Sequence, residues 1–389
     1  MINKKIAYLI VFVLFVLSAV TTYSFFSTEN GQPFLSPISY QAPNSENGSK
    51  EGAVSNEPKT EECPLNGELM SKTQKKQWES RRPLGVVIEN HKDARPQSGL
   101  SSADVIYEAV AEGGITRFLG IFYCQDAPYV GPVRSARIYF IKLLEGYGAN
   151  PLYAHVGGAN TPGPADALSY IKELGWSSSN DLNQFSVPFP FFWRDYERLP
   201  DRATEHTVYS STKKLWQYAK EKRGLTNIDD EGIRWDKVFS TWKFEDDVKQ
   251  SDRGTVTKID FGFWDNLASD FSVVWNYDNK TNSYMRTNGG VPHIDKNSGK
   301  VLETKNVVVM FAKESAVNDG YDSGQHILYQ TVGSGEMLFF KNGQVAKGTW
   351  SRNNTEKQVK FFDNSNSEIS IVRGQVFIEI LPTGNKVTY

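Results

Sequence analysis

The sequence lacks the short motifs that identify many metalloenzymes and serine hydrolases. No His-Glu-x-x-His pair, clustered cysteine and histidine ligands, EF-hand loop or Gly-x-Ser-x-Gly segment occurs in the 389 residues. Such motifs exist because a metal ion or a catalytic serine needs its ligands or its turn at a fixed spacing. From their absence we expect no metal site and no cofactor.

The chain also has no run of lysine and arginine. Its 43 basic residues are balanced by 45 acidic ones, and the formal net charge is -2. A protein that follows a phosphate backbone needs positive charge gathered on one face or segment. We therefore expect no nucleic acid among its partners.

Charge is absent from one long stretch near the N-terminus. The 21 residues 6–26, IAYLIVFVLFVLSAVTTYSFF, could cross a bilayer as one helix, and Lys4 and Lys5 precede them. We predict that residues 1–26 are an uncleaved single-pass anchor in the cell membrane, with the N-terminus cytoplasmic and the domains outside. A cleaved signal peptide is the alternative, but the segment exceeds a usual signal core. No cysteine directly follows it, which excludes lipoprotein processing.

Cysteine is scarce as well, and the two that occur are Cys63 and Cys124. Both follow the predicted membrane segment, so they lie in a compartment where a disulfide can persist. A bridge would tie the start of the folded region to the end of a strand. Two unpaired thiols agree equally well with the sequence.

Composition divides the rest of the chain into a tether and two domains. Residues 27–62 are rich in Ser, Asn, Glu, Pro and Gly and poor in aliphatic side chains, so we predict a flexible tether. We predict domains at residues 63–228 and 235–389. The expected fold class is α+β: a mixed α/β N-terminal domain with an antiparallel hairpin core, followed by a β-rich C-terminal domain.

The hairpin in the first domain carries an unusual density of charge. Two strand-like runs, DVIYEAVAE and ITRFLGIFYC, meet at Gly113-Gly114, a pair suited to the positive φ of a two-residue turn. Regular pairing around that turn sets Val110 opposite Arg117. It then predicts that Glu108, Glu112 and Arg117 share one face of the sheet.

More polar side chains follow where the neighbouring elements begin and end. Glu89 and Asn90 end the preceding strand, and Arg95 lies in the loop after it. Arg134 and Arg137, three apart at the start of the next predicted helix, should share one face at the positive end of the helix dipole. Such an arrangement suits a carboxylate or a phosphate.

We expect these charges to form one network in the first domain. Its predicted centre comprises Glu89, Glu108, Glu112 and Arg117, and its extension comprises Arg95, Arg134 and Arg137. His155, at the end of a strand and before a glycine loop, is predicted at its edge. A lone histidine is more often a structural residue than a catalyst, so its chemical role stays open.

The order of segments resembles the YerB-like family, also described as DUF3048 proteins. The resemblance rests on CPLNG, RPLGVVIENHKDARPQSGLSSADVIYEAVAEGGITRF, GPVRSARIYF, HVGG, NVVVMF, GSGEMLFFKNG and GTW, which span nearly the whole chain after the tether. It implies a bacterial, envelope-associated protein with distinct N- and C-terminal domains and no established activity. Relatives are often lipoprotein-like, whereas this chain lacks the lipobox cysteine, so a transmembrane anchor would replace the lipid.

Three functions agree with these patterns. The first is a binding module in which Asn90, Arg95, Arg117, Arg134 and Arg137 hold an anionic or glycan ligand of the cell wall or envelope. The second is a hydrolase or lyase acting on envelope glycan, with catalytic candidates Glu89, Glu108, Glu112 and His155. The third is an envelope scaffold. Aromatic residues 191–193 could stack on sugars, but we expect them to fill the core.

Overall fold

The computed structural model describes residues 57–321 and 325–389. The predicted membrane segment, and the predicted tether as far as residue 56, lie outside these ranges. No helix within the described ranges is long and apolar enough to span a bilayer. All described residues belong to one compact unit, Gly48–Tyr389.

Strands dominate the described chain, in agreement with the α+β class. The first nine strands are β1 (Lys59–Glu62), β2 (Leu69–Ser71), β3 (Leu84–Glu89), β4 (Val105–Glu112), β5 (Ile115–Phe122), β6 (Leu152–His155), β7 (Asp181–Asn183), β8 (Trp193–Arg194) and β9 (Val208–Tyr209). Later strands are β10 (Phe244–Glu245), β11 (Lys258–Phe261), β12 (Val273–Asp278), β13 (Ser283–Asn288), β14 (Val291–Pro292), β15 (Glu303–Thr304), β16 (Asn306–Ala312), β17 (Glu314–Val317), β18 (His326–Tyr329), β19 (Gly333–Lys341), β20 (Gln344–Arg352), β21 (Lys360–Asp363), β22 (Ile371–Val372), β23 (Val376–Pro382) and β24 (Val387–Thr388).

The α-helices are short, and capping is clear on two of them. They are α1 (Lys72–Trp78), α2 (Ile138–Leu144), α3 (Ala167–Glu173), α4 (Thr212–Arg223) and α5 (Ala268–Phe271). Ser71 and Gln74 form a capping box on α1, and Gly224 ends α4 in the left-handed conformation. Single 3₁₀ turns occur at Lys92–Ala94, Leu100–Ser102, Glu145–Tyr147, Thr204–His206, Trp235–Val238 and Gln250–Asp252.

One mixed sheet of ten strands organises the fold. Its strand order is β21-β20-β19-β16-β23-β4-β5-β3-β6-β7. Strand β23, from the C-terminal half of the sequence, lies parallel between β16 and β4. Strands β3, β16 and β23 are almost wholly buried, which accounts for their near-continuous aliphatic sequences. Strands from both sides of the predicted boundary at residues 229–234 therefore share one sheet.

A second sheet packs against the first. Its order is β14-β13-β12-β11-β24, with β15 also paired to β13. Trp275 of β12 packs edge-on against Phe377 of β23, with ring centroids 4.9 Å apart. Arg286 of β13 extends its guanidinium towards the same surface and is fully buried. The core between the sheets thus contains charge as well as apolar groups.

The predicted hairpin is present, but its predicted register is wrong. Gly113 and Gly114 both have positive φ and join β4 to β5, as the turn signal indicated. A β-bulge between Val110 and Glu112 shifts the pairing by one residue, so Ala109 instead of Val110 lies opposite Arg117. Because neighbouring residues point to opposite faces, Glu108 and Arg117 lie on different sides of the sheet.

Cys63 and Cys124 form a disulfide, which resolves the alternative that the sequence left open. Asp104 is buried beside it. One carboxylate oxygen accepts hydrogen bonds from the backbone N–H groups of Tyr123 (2.6 Å) and Cys124 (3.0 Å), and the other accepts one from the Asn66 side chain (3.0 Å). Burial raises the pKa of Asp104 to about 7 even though these donors favour its charged form.

Candidate functional site

Three arginines and two glutamates gather on one face of the main sheet. They are Arg117, Arg134, Arg137, Glu89 and Glu112, which we call the arginine site. Glu89 at the end of β3 lies directly opposite Arg117 on β5, so the two side chains leave the same face of the sheet. Arg117 also donates to the backbone oxygen of Ser135 (3.2 Å), on the segment that carries the other two arginines.

Glu112 connects two of the arginines. Its carboxylate accepts from Arg117 at 2.6 Å and from Arg137 at 2.5 Å. Burial alone would raise the pKa of Glu112, but attraction to Arg117 and Arg137 holds it below the usual value. The bulge in β4 makes this bridge possible because it turns Glu112 towards the face that Arg117 occupies.

Glu89 is the second anionic centre of the arginine site. One of its oxygens lies 3.1 Å from Arg134 Nε, and the other lies 2.9 Å from His206 Nδ1. This hydrogen bond to Glu89 raises the pKa of His206. The Glu89 side chain is only 4 % exposed, whereas that of Arg134 is 24 % exposed. Arg134 is therefore the more accessible partner of this pair.

Arg134 has spare donors. Its Nη1 makes one long contact with the Glu205 backbone oxygen at 3.5 Å, and no described residue accepts a hydrogen bond from its Nη2. By contrast, Arg117 and Arg137 are 4 % and 6 % exposed and face Glu112. Arg134 is thus the most exposed arginine of the site and the one with the fewest donor contacts among the described residues.

The predicted placement of Arg134 and Arg137 at a helix start is wrong in one respect. Helix α2 begins at Ile138, and Arg137 caps it with an extended backbone while Arg134 lies outside it. Arg134 instead follows the edge of β3, where its backbone N–H donates to Val87. The two arginines meet the site through the glutamates and do not share a helix face.

Glu108 belongs to a separate, sealed network, so the predicted single network is wrong. It faces the second sheet, where its carboxylate contacts Arg286 and accepts from Asn90 (2.9 Å). Glu379 of β23 lies beside it and accepts from Trp275 (3.0 Å) and approaches Arg286 (3.5 Å). Glu108, Arg286 and Glu379 have no exposed surface.

His293 completes the sealed network as a neutral side chain. Burial and the positive charges of Arg286 and Arg95 lower its pKa well below the usual value. Its Nδ1 therefore accepts from Arg286 (2.6 Å) while its Nε2 donates to Gln97 (2.8 Å). Every ring nitrogen of this histidine has a structural partner.

Asn90 and Arg95, two predicted ligand-binding residues, are held by protein partners. Asn90 is fully buried, and its side-chain oxygen accepts from Arg95, Gln97 and Asn288. Arg95 also donates to the backbone oxygen of Asp270 (2.8 Å). Burial lowers its pKa to about 10. Both residues tie the loop after β3 to the second sheet and its neighbouring helix.

His155 is buried away from solvent. Its Nε2 lies 2.6 Å from Asp181 and its Nδ1 lies 2.6 Å from the Gly157 backbone oxygen. Both ring nitrogens are thus engaged, which leaves none to accept a proton from a substrate. Of the aromatic residues 191–193, Phe192 and Trp193 are buried at 3 % and 7 % exposure, as expected of core side chains, and Phe191 is half-buried.

Several members of these clusters were not predicted from the sequence. His206 reaches Glu89 from 117 residues along the chain, and Arg286 reaches Glu108 from 178 residues along the chain. Neither residue lies in a motif, and both pairs depend on long-range packing.

Two groups of side chains within the described ranges have donor atoms close enough to consider for a metal ion. One is Cys63, Asp104 and Cys124, but its sulfurs are joined in the disulfide and offer no thiolate. The other is His91, Asp93 and His206, at the rim of the arginine site. Imidazole and carboxylate are ordinary ligands of divalent transition metals.

Comparison with known proteins gives the family. Residues 69–226 match the "Protein of unknown function (DUF3048) N-terminal domain", and residues 263–378 match its C-terminal domain. The chain is 32 % identical over 332 residues to "Putative lipoprotein YerB" of Bacillus subtilis (strain 168), covering 85 % of this chain and 89 % of the relative. The crystal structure of the Bacillus subtilis YerB protein aligns with a TM-score of 0.65 at 26 % identity, covering 85 % of this chain and all of that one. This chain belongs to the DUF3048 family of YerB-like proteins.

Proposed function

We propose that this chain is anchored in the cell membrane and works outside the cytoplasm, where it binds an anionic or glycan ligand of the cell envelope. The name of the Bacillus relative as a lipoprotein supports an envelope address. The uncharged segment after Lys4 and Lys5, with no cysteine directly after it, supports a proteinaceous anchor in place of a lipid.

The observation that carries the binding proposal is the unequal use of donors in the arginine site. Arg117 and Arg137 donate to Glu112, whereas Arg134 is 24 % exposed and makes only one long hydrogen bond, from Nη1, beside its contact with Glu89. A guanidinium held in position by a buried carboxylate is preorganised for a carboxylate or phosphate, because little side-chain entropy remains to be lost on binding.

The same contacts favour binding over acid–base catalysis. A general acid at neutral pH needs a carboxyl group whose pKa is raised, yet the pKa of Glu112 is lowered. Glu89 faces Arg134 and His206, and Glu108 is sealed from solvent. His155 has no free ring nitrogen.

The test is titration calorimetry of the purified full-length chain with muropeptides and with anionic wall polymers. We expect binding that weakens about tenfold or more in Arg134→Ala, the loss of one charge-assisted contact. Arg223→Ala is the matched control, since Arg223 ends α4 and its guanidinium donates to Ser178 away from the site. If no binding heat is measured at a ligand concentration of about 1 mM, the proposal is contradicted. A Kd weaker than that corresponds to a binding free energy of less than about 4 kcal/mol.

The dependence of ligand affinity on salt concentration can be measured on the same samples as a second test. If Arg134 supplies the attraction, affinity should fall as ionic strength rises, because exposed charges are screened. Equal affinities of Arg134→Ala and Arg223→Ala for every ligand would remove the arginine site from the mechanism even where binding itself is observed.

A further inference from the structure

His91, Asp93 and His206 bring three donor side chains together from two separate loops. His91 and Asp93 flank the start of the 3₁₀ turn Lys92–Ala94, and His206 ends the 3₁₀ turn Thr204–His206. One ligand atom from each lies within 4.8 Å of the other two. The two imidazole rings stack nearly parallel, with centroids 5.1 Å apart and planes 7° apart.

We propose that these three side chains form a binding site for a divalent first-row transition metal such as Zn²⁺. Two imidazoles and one carboxylate are a common set of protein ligands for such ions, and a three-residue set leaves a coordination position for water or another ligand. This inference does not depend on anion binding by the arginine site.

Glu89 supplies the support that metal-binding histidines usually have. It lies 2.9 Å from His206 Nδ1, and with the proton on that nitrogen the lone pair is on Nε2. No described residue makes a hydrogen bond with this Nε2. A carboxylate behind a ligating imidazole fixes the tautomer and the ring orientation, and Arg134 in turn holds the carboxylate from its other oxygen.

Access and adjustability also suit a metal site. The side chains of His91 and Asp93 are 28 % and 47 % exposed, so an ion can reach them from solvent. Ligand atoms around tetrahedral Zn²⁺ are about 3.3 Å apart, given zinc–nitrogen bonds of about 2.0 Å. His91 Nδ1 accepts a hydrogen bond from the Asp93 backbone N–H (3.2 Å) and lies 3.8 Å from the Asp93 carboxylate, so His91 would ligate through Nε2, and the Asp93 side chain would rotate to close the remaining distance.

The sequence patterns contained no sign of this group and led us to expect no metal. His91 and Asp93 are only two residues apart, but His206 is more than a hundred residues away, so no local spacing rule applies. The fold brings them together because the segment before β9 crosses the carboxyl end of β3, where Glu89 and His206 meet.

The test uses the purified full-length chain without a polyhistidine tag, stripped of metal. Zn²⁺ is titrated by calorimetry, and Co²⁺ is followed through its visible absorption. We expect one equivalent, with affinity weakened at least tenfold in His91→Ala and His206→Ala. Glu89→Gln should weaken binding by about 10- to 100-fold while the Co²⁺ band positions stay unchanged, because Glu89 positions a ligand and does not ligate.

His326→Ala is the matched control, since His326 also faces a carboxylate, Asp319 at 2.7 Å, but lies outside the group. The affinity of this variant for Zn²⁺ should equal that of the natural chain. Mg²⁺ should not compete with Zn²⁺, because Mg²⁺ prefers oxygen ligands. Thermal unfolding of each variant identifies any that fails to fold, and the partly exposed His91 gives the variant least affected by this. No binding at about 0.1 mM Zn²⁺, or several equivalents that persist in His91→Ala, would overturn the proposal.

Discussion

Glu108 and Glu379 lie side by side, in register on the parallel strands β4 and β23, and both are fully buried. Arg286 contacts the two carboxylates, and Trp275 donates to Glu379. Burial and the adjacent negative charge of Glu108 raise the pKa of Glu379 well above its usual value. Glu379 therefore holds its proton to a higher pH than an ordinary glutamate does.

Glu379→Gln should change the free energy of unfolding at pH 7.5 by less than about 1 kcal/mol, because glutamine has the shape and charge of the protonated acid. Glu108→Gln should cost more, since it removes the anion opposite Arg286. The double variant leaves Arg286 without an anion and should lose about 3–5 kcal/mol. Urea unfolding of the three variants measures this order, and a larger loss in Glu379→Gln than in Glu108→Gln would contradict the raised pKa of Glu379.

Arg117→Ala should destabilise the protein more than Arg134→Ala. Arg117 is 4 % exposed and its loss leaves Glu112 with Arg137 alone, so we expect a cost of about 2–3 kcal/mol. Arg134 is 24 % exposed and Glu89 retains His206, so a cost of about 1 kcal/mol is expected. Denaturant unfolding of both variants at equal protein concentration measures the two losses in the free energy of unfolding. Equal and negligible losses would mean that the arginine site contributes no stability.

Asp104 should make stability fall as pH rises. Its pKa is about 7 in the folded chain, above the usual 3.8, so between these values the folded state holds a proton that the unfolded state has released. The free energy of unfolding then decreases from about pH 4 to about pH 7, by at most about 4 kcal/mol, and changes no further above that range.

Asp104→Asn removes this contribution while every other buried acid remains. The difference in unfolding free energy between the natural chain and this variant should therefore favour the natural chain most at about pH 4 and decline to a plateau above about pH 7. Chemical unfolding across that interval measures it. Parallel profiles for the two proteins would mean that Asp104 is ionised throughout.

Local signals in the sequence predicted much of the strand content. Residues 235–389 were predicted to be β-rich and contain strands β10 to β24, because the alternation and turn residues that favour strands are local properties. The register around Gly113-Gly114 was predicted wrongly because a bulge at Ala111 leaves no trace in an alternating pattern. One extra residue was enough to send Glu108 and Arg117 to opposite faces.

Only those residues of the candidate site that lie close together in the sequence could be predicted to meet. The pairing of Glu112 with Arg117 follows from the hairpin, and both were expected to meet. The partners Arg137, His206, Arg286 and Glu379 depend on which elements pack together, which no spacing rule in one sequence encodes. The charged hairpin contributes Glu112 and Arg117 to the arginine site, while burial decides which of the predicted charges stay accessible.

The insertion of β23 between β4 and β16 also sets an order of events during synthesis. When the hairpin β4–β5 has left the ribosome, the edge of β4 that β23 will cover has no partner until residues 376–382 have followed. An unpaired edge of that kind is a template for pairing with other chains, and its late closure gives the fold many contacts between distant residues, which slows folding. In a nascent or truncated chain that ends before β23, the facing edges of β4 and β16 in the middle of the sheet are therefore left unpaired.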